Sequence, residues 1–220
     1  MGDIKSNLEK VRGNLTDDVL LVAVTKTHSV SEINEAIDNG VTDIGENKVQ
    51  EILDKYDSVK PVRWHMIGHL QTNKVKYIID KVDLIHSVDS LKLAKEISKR
   101  ATEHGKTMDI LLQINIAGEE SKFGVSPDES KDLLLSILND CPALKIKGLM
   151  TVAPFAENPE SVRSVFARAK KMYEEFALIN HARLDFEYLS MGMTHDYTVA
   201  IEEGSNLVRV GTAIFGSRVY

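Results

Sequence analysis

The stretch Leu20-Leu21-Val22-Ala23-Val24-Thr25-Lys26-Thr27-His28 decides how the remainder of the chain is read. It starts as a run of aliphatic and β-branched residues, the composition of a strand buried on both faces. It ends on Lys26, between two threonines. Parallel α/β proteins put their chemistry at the carboxyl ends of their strands. A lysine placed there carries an amine whose pKa falls on desolvation, which is how a Schiff-base lysine becomes nucleophilic. The competing reading is a lysine that snorkels to solvent from a strand end. This stretch alone favours the latter, so the rest of the chain must decide.

Working outward, the pattern alternates. An amphipathic helix over 3–12, with Ile4, Leu8 and Val11 on one face, precedes the first strand. Ser29 and Ser31 offer caps for a helix closed by Asn39-Gly40. A strand over 41–44 exits through Gly45-Glu46-Asn47, and a helix follows over 48–56. The strand over 62–67 exits through Gly68-His69-Leu70-Gln71, and a helix is expected over 73–80. Strands over 84–88, 109–116, 146–152, 184–189 and 207–210 alternate with helices over 91–104, 127–138 and 158–180 and a short one through Ile201. Eight strands alternating with helices predict a closed (β/α)8 TIM barrel. The runner-up, an open doubly wound sheet, calls for a glycine-rich GxGxxG after the first strand, and TKTHS is not that.

The 220 residues suit one such barrel, expected as a single domain over 1–220. A net charge of −6 argues against a broad nucleic-acid surface. The single cysteine, Cys141, allows no intrachain disulfide framework and suits a reducing compartment. It reads as a small residue near a helix end. The opening GDIKSNLEKVRGN is charged, and no apolar run approaches the ~20 residues needed to span a bilayer. The expected location is the cytoplasm, with no membrane partner.

In a barrel the strand exits line one mouth. They supply Lys26, Asn47, His65 or His69, Ser87, Asn115, Met150-Thr151, Ser190 to Thr194, and Arg209 to Thr212. Phosphate in such barrels sits in the loops after strands seven and eight. Here those loops are SMGMT and GTAIFG, each with a glycine that lets backbone N–H groups approach and a hydroxyl that donates to an anion. Taken singly they are ordinary turn residues; together they favour phosphate. A nucleophilic lysine beside a phosphate cradle suggests pyridoxal 5'-phosphate (PLP), and Arg209 is then the candidate partner of the ring nitrogen.

The segments LVAVTKT, GENKVQE, WHMIGHLQTNK, GLMTVAP, SMGM and VRVGTAIFG, in that order, resemble the pyridoxal-phosphate homeostasis protein family. Its barrel is similar to the N-terminal domain of fold-type III enzymes such as alanine racemase. The resemblance covers essentially the whole chain and implies a PLP-binding barrel without the C-terminal β-domain. It implies that Lys26 forms the Schiff base with PLP and that Arg209 lies against the pyridine nitrogen. Ser190, Gly192, Thr194, Gly211 and Thr212 would surround the phosphate, with Met193 among the cofactor contacts. Asn47 would stand near the ring face or its 3-hydroxyl. Phe123 occupies a position where the family usually has a smaller residue.

A guanidinium is effectively always protonated, so Arg209 donates to the ring nitrogen and leaves it without a proton of its own. Such a ring is a weak electron sink. In the resembling racemases the second base is a tyrosine from an additional domain of a partner subunit, and the chain ends at Tyr220, directly after the barrel. The expectation is a monomeric carrier or regulator of PLP, with PLP-dependent apoenzymes as candidate recipients, rather than a turnover enzyme. The alternative is an amino-acid racemase or related PLP enzyme with an open site. A weaker third is a phosphate-binding barrel enzyme without cofactor.

Other residues read as scaffold. His65, His69 and His86 lack a metal-binding spacing, so no metal is expected. His195-Asp196 reads as a solvated loop, Met191 and Met193 as packing at the mouth, and Lys74, Lys76 and Arg63 as a solvated face. Ser190 lacks the GxSxG elbow of a hydrolase.

Overall fold

A computed structural model describes residues 3–119 and 122–216. Tyr220 lies outside them. Helix α1 (Ile4–Arg12) leads into β1 (Leu20–Val24), α2 (Val30–Asp38), β2 (Asp43–Glu46), α3 (Val49–Lys55) and β3 (Arg63–Met66). A 3-10 segment, Thr72–Tyr77, precedes β4 (Leu84–Val88) and α4 (Leu91–Glu103). The second half runs β5 (Met108–Gln113), α5 (Pro127–Asp140), β6 (Leu144–Met150), α6 (Arg163–Ala177), β7 (Leu184–Met193), α7 (Tyr197–Glu202), β8 (Leu207–Val210) and α8 (Thr212–Phe215).

The eight strands form a closed barrel in chain order. Every neighbouring pair is parallel, and β8 closes on β1 with Leu20 opposite Leu207 and Ala23 opposite Val210. Between the sheet and its helices lies the larger core, including Ile33, Ile52, Ile97 and Phe166. Val22, Leu84, Leu111, Met150 and Leu207 pack together along the barrel axis. The helix starts follow their caps. Ser29 and Glu32 form a reciprocal capping box at α2, and Ser126 with Pro127 opens α5.

Several expectations change, among them that the strand over 109–116 ends at Gln113 and that Thr212–Phe215 forms a short helix after the last strand. The helix expected over 73–80 is the 3-10 turn Thr72–Tyr77. The long helix over 158–180 divides into a 3-10 turn, Pro159–Val162, and α6, because Asn158 caps a start that Pro159 enters. The seventh strand does not stop at Leu189 but continues to Met193. It does so through a register shift against β8 between Ser190 and Met193. Gly192 makes that possible: its φ is +92°, and an added Cβ would lie 2.7 Å from the Ala200 side chain and 2.9 Å from the Tyr197 backbone.

Candidate functional site

Lys26 follows β1 and is held in place through both of its neighbours. Thr25 is wholly buried and donates its hydroxyl to Glu46 Oε1 at 2.7 Å. The Lys55 ammonium donates to the Thr25 carbonyl at 3.0 Å and to Glu46 and Glu51, both at 2.8 Å. Glu51 accepts the Thr27 N–H at 2.6 Å. That bond fastens a residue with φ +67°, a left-handed conformation that is costly for a β-branched side chain. The turn that presents Lys26 is therefore built by a buried ion cluster on β2 and α3. Burial raises the pKa of Glu46 against the opposing pull of Lys55 and Thr25. Burial also works against the charge of Glu51, but hydrogen bonds from Lys55 and Thr27 bring its pKa below the usual value.

Lys26 borders a cavity of about 310 Å³, shared with Asn47, Met193, Thr194, Arg209, Gly211 and Thr212 among others. Small-molecule sites begin at about this size. Asn47 reaches it because β3 exits through Gly68, where a Cβ would fall 2.2 Å from the Asn47 carbonyl oxygen. Among the described residues Asn47 Oδ1 is buried without a hydrogen-bond partner, an acceptor open to a donor from a ligand. Arg209 enters from β8, donating to Ser190 Oγ at 2.5 Å and to the Thr151 carbonyl at 2.9 Å. Burial lowers its pKa to about 10, partly offset by Asp196, and it remains a cation at neutral pH. Thr212 begins α8, where the Gly211 carbonyl accepts the N–H groups of Ile214 at 2.8 Å and Phe215 at 3.0 Å, so that only the first two N–H groups of the turn, at Thr212 and Ala213, lie ahead of the helix bonds.

Seven of the nine expected contacts thus line one cavity, and two do not. Ser190 lies beneath it, wholly buried, with its hydroxyl engaged by Arg209 and His86. Gly192 packs against α7 instead. His65 is inside the barrel, 2.8 Å from Asp43, rather than at the mouth. Ser87 is also buried. Asn115 is occupied with its own loop, donating to the Glu119 carbonyl at 2.9 Å and accepting the Gly118 N–H at 3.1 Å.

The loop reading of His195-Asp196 changes as well. Asp196 is buried and accepts the Met193 N–H at 2.6 Å, fixing the turn that presents Thr194, while His195 joins the cavity wall. Arg63 is exposed, as expected, and also pairs with Asp43 at 3.3 Å. Phe123 is exposed and stacks on His69 with ring centroids 3.9 Å apart. Cys141 caps α5 and is buried, which raises its pKa. Glu51, Lys55 and Asp43 escaped the sequence reading. A lysine four residues after a glutamate on a helix is the signal for the first two, but it is the usual mark of an exposed pair.

A parallel barrel with lysine after strand one, arginine on strand eight and hydroxyl-bearing turns after strands seven and eight around one cavity defines a barrel with a small-molecule site at its strand exits. The sequence profile described as alanine racemase, N-terminal domain, matches residues 1–219. The chain belongs to this family, among its pyridoxal phosphate homeostasis proteins. The protein of that name from Aquifex aeolicus is 46% identical over 202 residues, covering 91% of this chain and 87% of its own. The solved structure of PipY from Synechococcus elongatus with PLP bound is 33% identical, with a TM-score of 0.87, covering 97% of this chain and 100% of its own. Alanine racemase from Clostridium difficile 630 shares the fold at 17% identity and a TM-score of 0.78, covering 99% of this chain and 60% of its own.

Proposed function

We propose that the chain binds pyridoxal 5'-phosphate and serves intracellular PLP homeostasis, holding the cofactor as a reversible Schiff base on Lys26. The observation that carries this reading is the convergence of Lys26, Arg209 and the unpartnered Asn47 Oδ1 on one cavity. The donor set fits the group. Arg209 presents N–H groups to an aromatic nitrogen acceptor, and Asn47 Oδ1 accepts from a ring hydroxyl. The hydroxyls of Thr194 and Thr212 and the N–H groups of Thr212 and Ala213 would hold the phosphate, with Gly211 leaving room for its approach. Met193 and Val152, which line the same cavity, would pack against the ring. Ser190 and Gly192 act one step away, holding Arg209 and shaping the Thr194 turn.

Held in this way the group would supply an electrophilic imine carbon able to exchange between amines, and Lys26 would be the amine that holds it reversibly. Arg209 keeps its own proton and leaves the ring nitrogen a weak electron sink, which favours holding over turnover. We place the protein in the cytoplasm as a monomeric carrier with PLP-dependent apoenzymes as recipients. In support, Cys141 is a free thiol, and no helix among the described residues is long and apolar enough to cross a membrane.

The test is a visible absorbance titration of the purified protein with PLP, beside Lys26→Ala. After unbound PLP is removed, a yellow band that stays with the protein is expected in the wild type alone. A wild type that is colourless once unbound PLP is removed overturns the reading. Exchange of amino-acid α-protons in the loaded protein, lost in Lys26→Ala, would instead favour the racemase alternative.

A further inference from the structure

The barrel interior is more polar than the cavity requires. Branched apolar residues normally fill such an axis, yet four polar side chains run through this one: Asp43 is 2% exposed, and His65, His86 and Ser190 are 0% exposed. Their contacts form a single line. Asp43 Oδ1 is 2.8 Å from His65 Nε2, and His65 Nδ1 is 2.9 Å from His86 Nε2. His86 Nδ1 is 3.0 Å from Ser190 Oγ, which meets Arg209 Nη1 at 2.5 Å. The line starts at the first residue of β2, at the N-terminal end of the barrel, and ends on the arginine that borders the cavity.

Chemistry fixes the direction of every hydrogen bond in it. A guanidinium only donates, so Ser190 Oγ accepts from Arg209 and sends its own O–H to His86 Nδ1. At the other end a carboxylate only accepts, so His65 donates from Nε2. A neutral imidazole donates at one nitrogen and accepts at the other. His65 therefore accepts at Nδ1 from His86 Nε2–H, which leaves His86 Nδ1 as the acceptor for Ser190. The two ends agree, and each ring has one tautomer, with its proton on Nε2. A doubly protonated His86 would turn a second donor on Ser190 Oγ and strand the hydroxyl hydrogen. Burial, then His65 and Arg209, push its pKa well below the usual range.

We propose that Asp43, His65, His86 and Ser190 are a one-way hydrogen-bond relay that positions Arg209 for a ligand carrying an aromatic nitrogen acceptor. The proposal rests on the reading of the cavity as a PLP seat. The relay answers a physical need. Arg209 is buried, and the two hydrogen-bond acceptors it meets among the described residues, Ser190 Oγ and the Thr151 carbonyl, are neutral. A hydroxyl that donates onward becomes a better acceptor, and each ring polarises the next. The Asp43 carboxylate thus strengthens the Ser190 oxygen from the far end, while Arg63 at 3.3 Å and Thr42 at 2.7 Å keep that carboxylate charged. The four are positioning residues, since Arg209 is the group that meets the ligand.

Two measurements on the full chain test this. Nitrogen-15 NMR of the ligand-free wild type at pH 8 should show protonated Nε2 and bare Nδ1 on both His65 and His86; a proton on Nδ1 of either ring overturns the relay. Visible titration with PLP, read beside thermal melting, then compares His86→Phe and Asp43→Asn with wild type. The relay predicts a Kd about tenfold higher for His86→Phe, the scale on which outer partners of a binding group act, and a smaller rise for Asp43→Asn. Folded variants that melt lower but bind PLP with wild-type Kd and spectrum would reduce these residues to scaffold and overturn the proposal. If His86→Phe does not fold, Asp43→Asn and the tautomers decide. A wild type that binds no PLP refutes the cofactor reading, and the tautomers, read without ligand, still decide the relay.

Discussion

Replacing Lys55 by methionine keeps the side-chain stem and removes the ammonium that ties Thr25, Glu46 and Glu51 together. Glu46 is wholly buried and its Oε2 has no partner, so the loss leaves a carboxylate with the Thr25 hydroxyl as its remaining side-chain partner. Breaking a buried pair from one side costs about 3–5 kcal/mol. Glu51 is partly exposed and keeps the Thr27 N–H, so it adds little. For a chain of this size each kcal/mol moves Tm by about 2–4 °C, which gives a fall of roughly 6–20 °C. The sign of the pH dependence follows from Glu46. A carboxyl whose pKa is raised by folding favours the fold while protonated, and that contribution is lost as pH rises through the folded pKa. Lys55→Met raises that pKa further, so its deficit should be larger at pH 8 than at pH 5. Urea unfolding of wild type and variant at both pH values measures this. A loss below about 1 kcal/mol, or one equal at the two pH values, would refute the buried-cluster reasoning.

Gly192→Ala forces a Cβ to within 2.7 Å of Ala200 at φ +92° and should cost about 1–3 kcal/mol while weakening PLP binding through the displaced Thr194 turn; unfolding and visible titration report the two effects. Ser29→Ala removes one half of the capping box on α2 and should cost about 1 kcal/mol in urea unfolding, with PLP binding unchanged. At low pH, Asp43 matters. Burial opposes its charge, yet hydrogen bonds from His65 and Thr42 and the charge of Arg63 hold its pKa below the usual value. Its contribution is therefore present above the unfolded pKa of about 3.9 and lost as pH falls through the folded one. Melting curves between pH 6 and pH 2 should fall less steeply for Asp43→Asn than for wild type.

The barrel was legible because most of its strands read as short apolar runs alternating with amphipathic helices, some opened by a visible cap such as Ser29, Ser90 or Ser126, and Lys26 was legible because it follows the first strand. The end of β7 was not. Ser190-Met191-Gly192-Met193 has the composition of a turn, and only the pairing of Ser190 with Leu207 and of Met193 with Arg209 reveals a strand carried through a shift. Ser190 consequently faces the barrel axis, under Arg209 rather than beside the phosphate turns. The histidine line was hidden for a different reason. Alternation says that His65 and His86 point to one face of the sheet, but not which groups 21 and 104 residues away they meet. Lys55 was missed because a buried ion cluster and an exposed i,i+4 pair share one sequence pattern.

Borohydride reduction of the wild type loaded with PLP, followed by peptide mass mapping, tests the proposed role of Lys26 most directly. One phosphopyridoxyl group on the peptide holding Lys26 is expected, with none in Lys26→Ala. Label on another lysine, such as Lys48 or Lys74, or label that persists in Lys26→Ala, would contradict it.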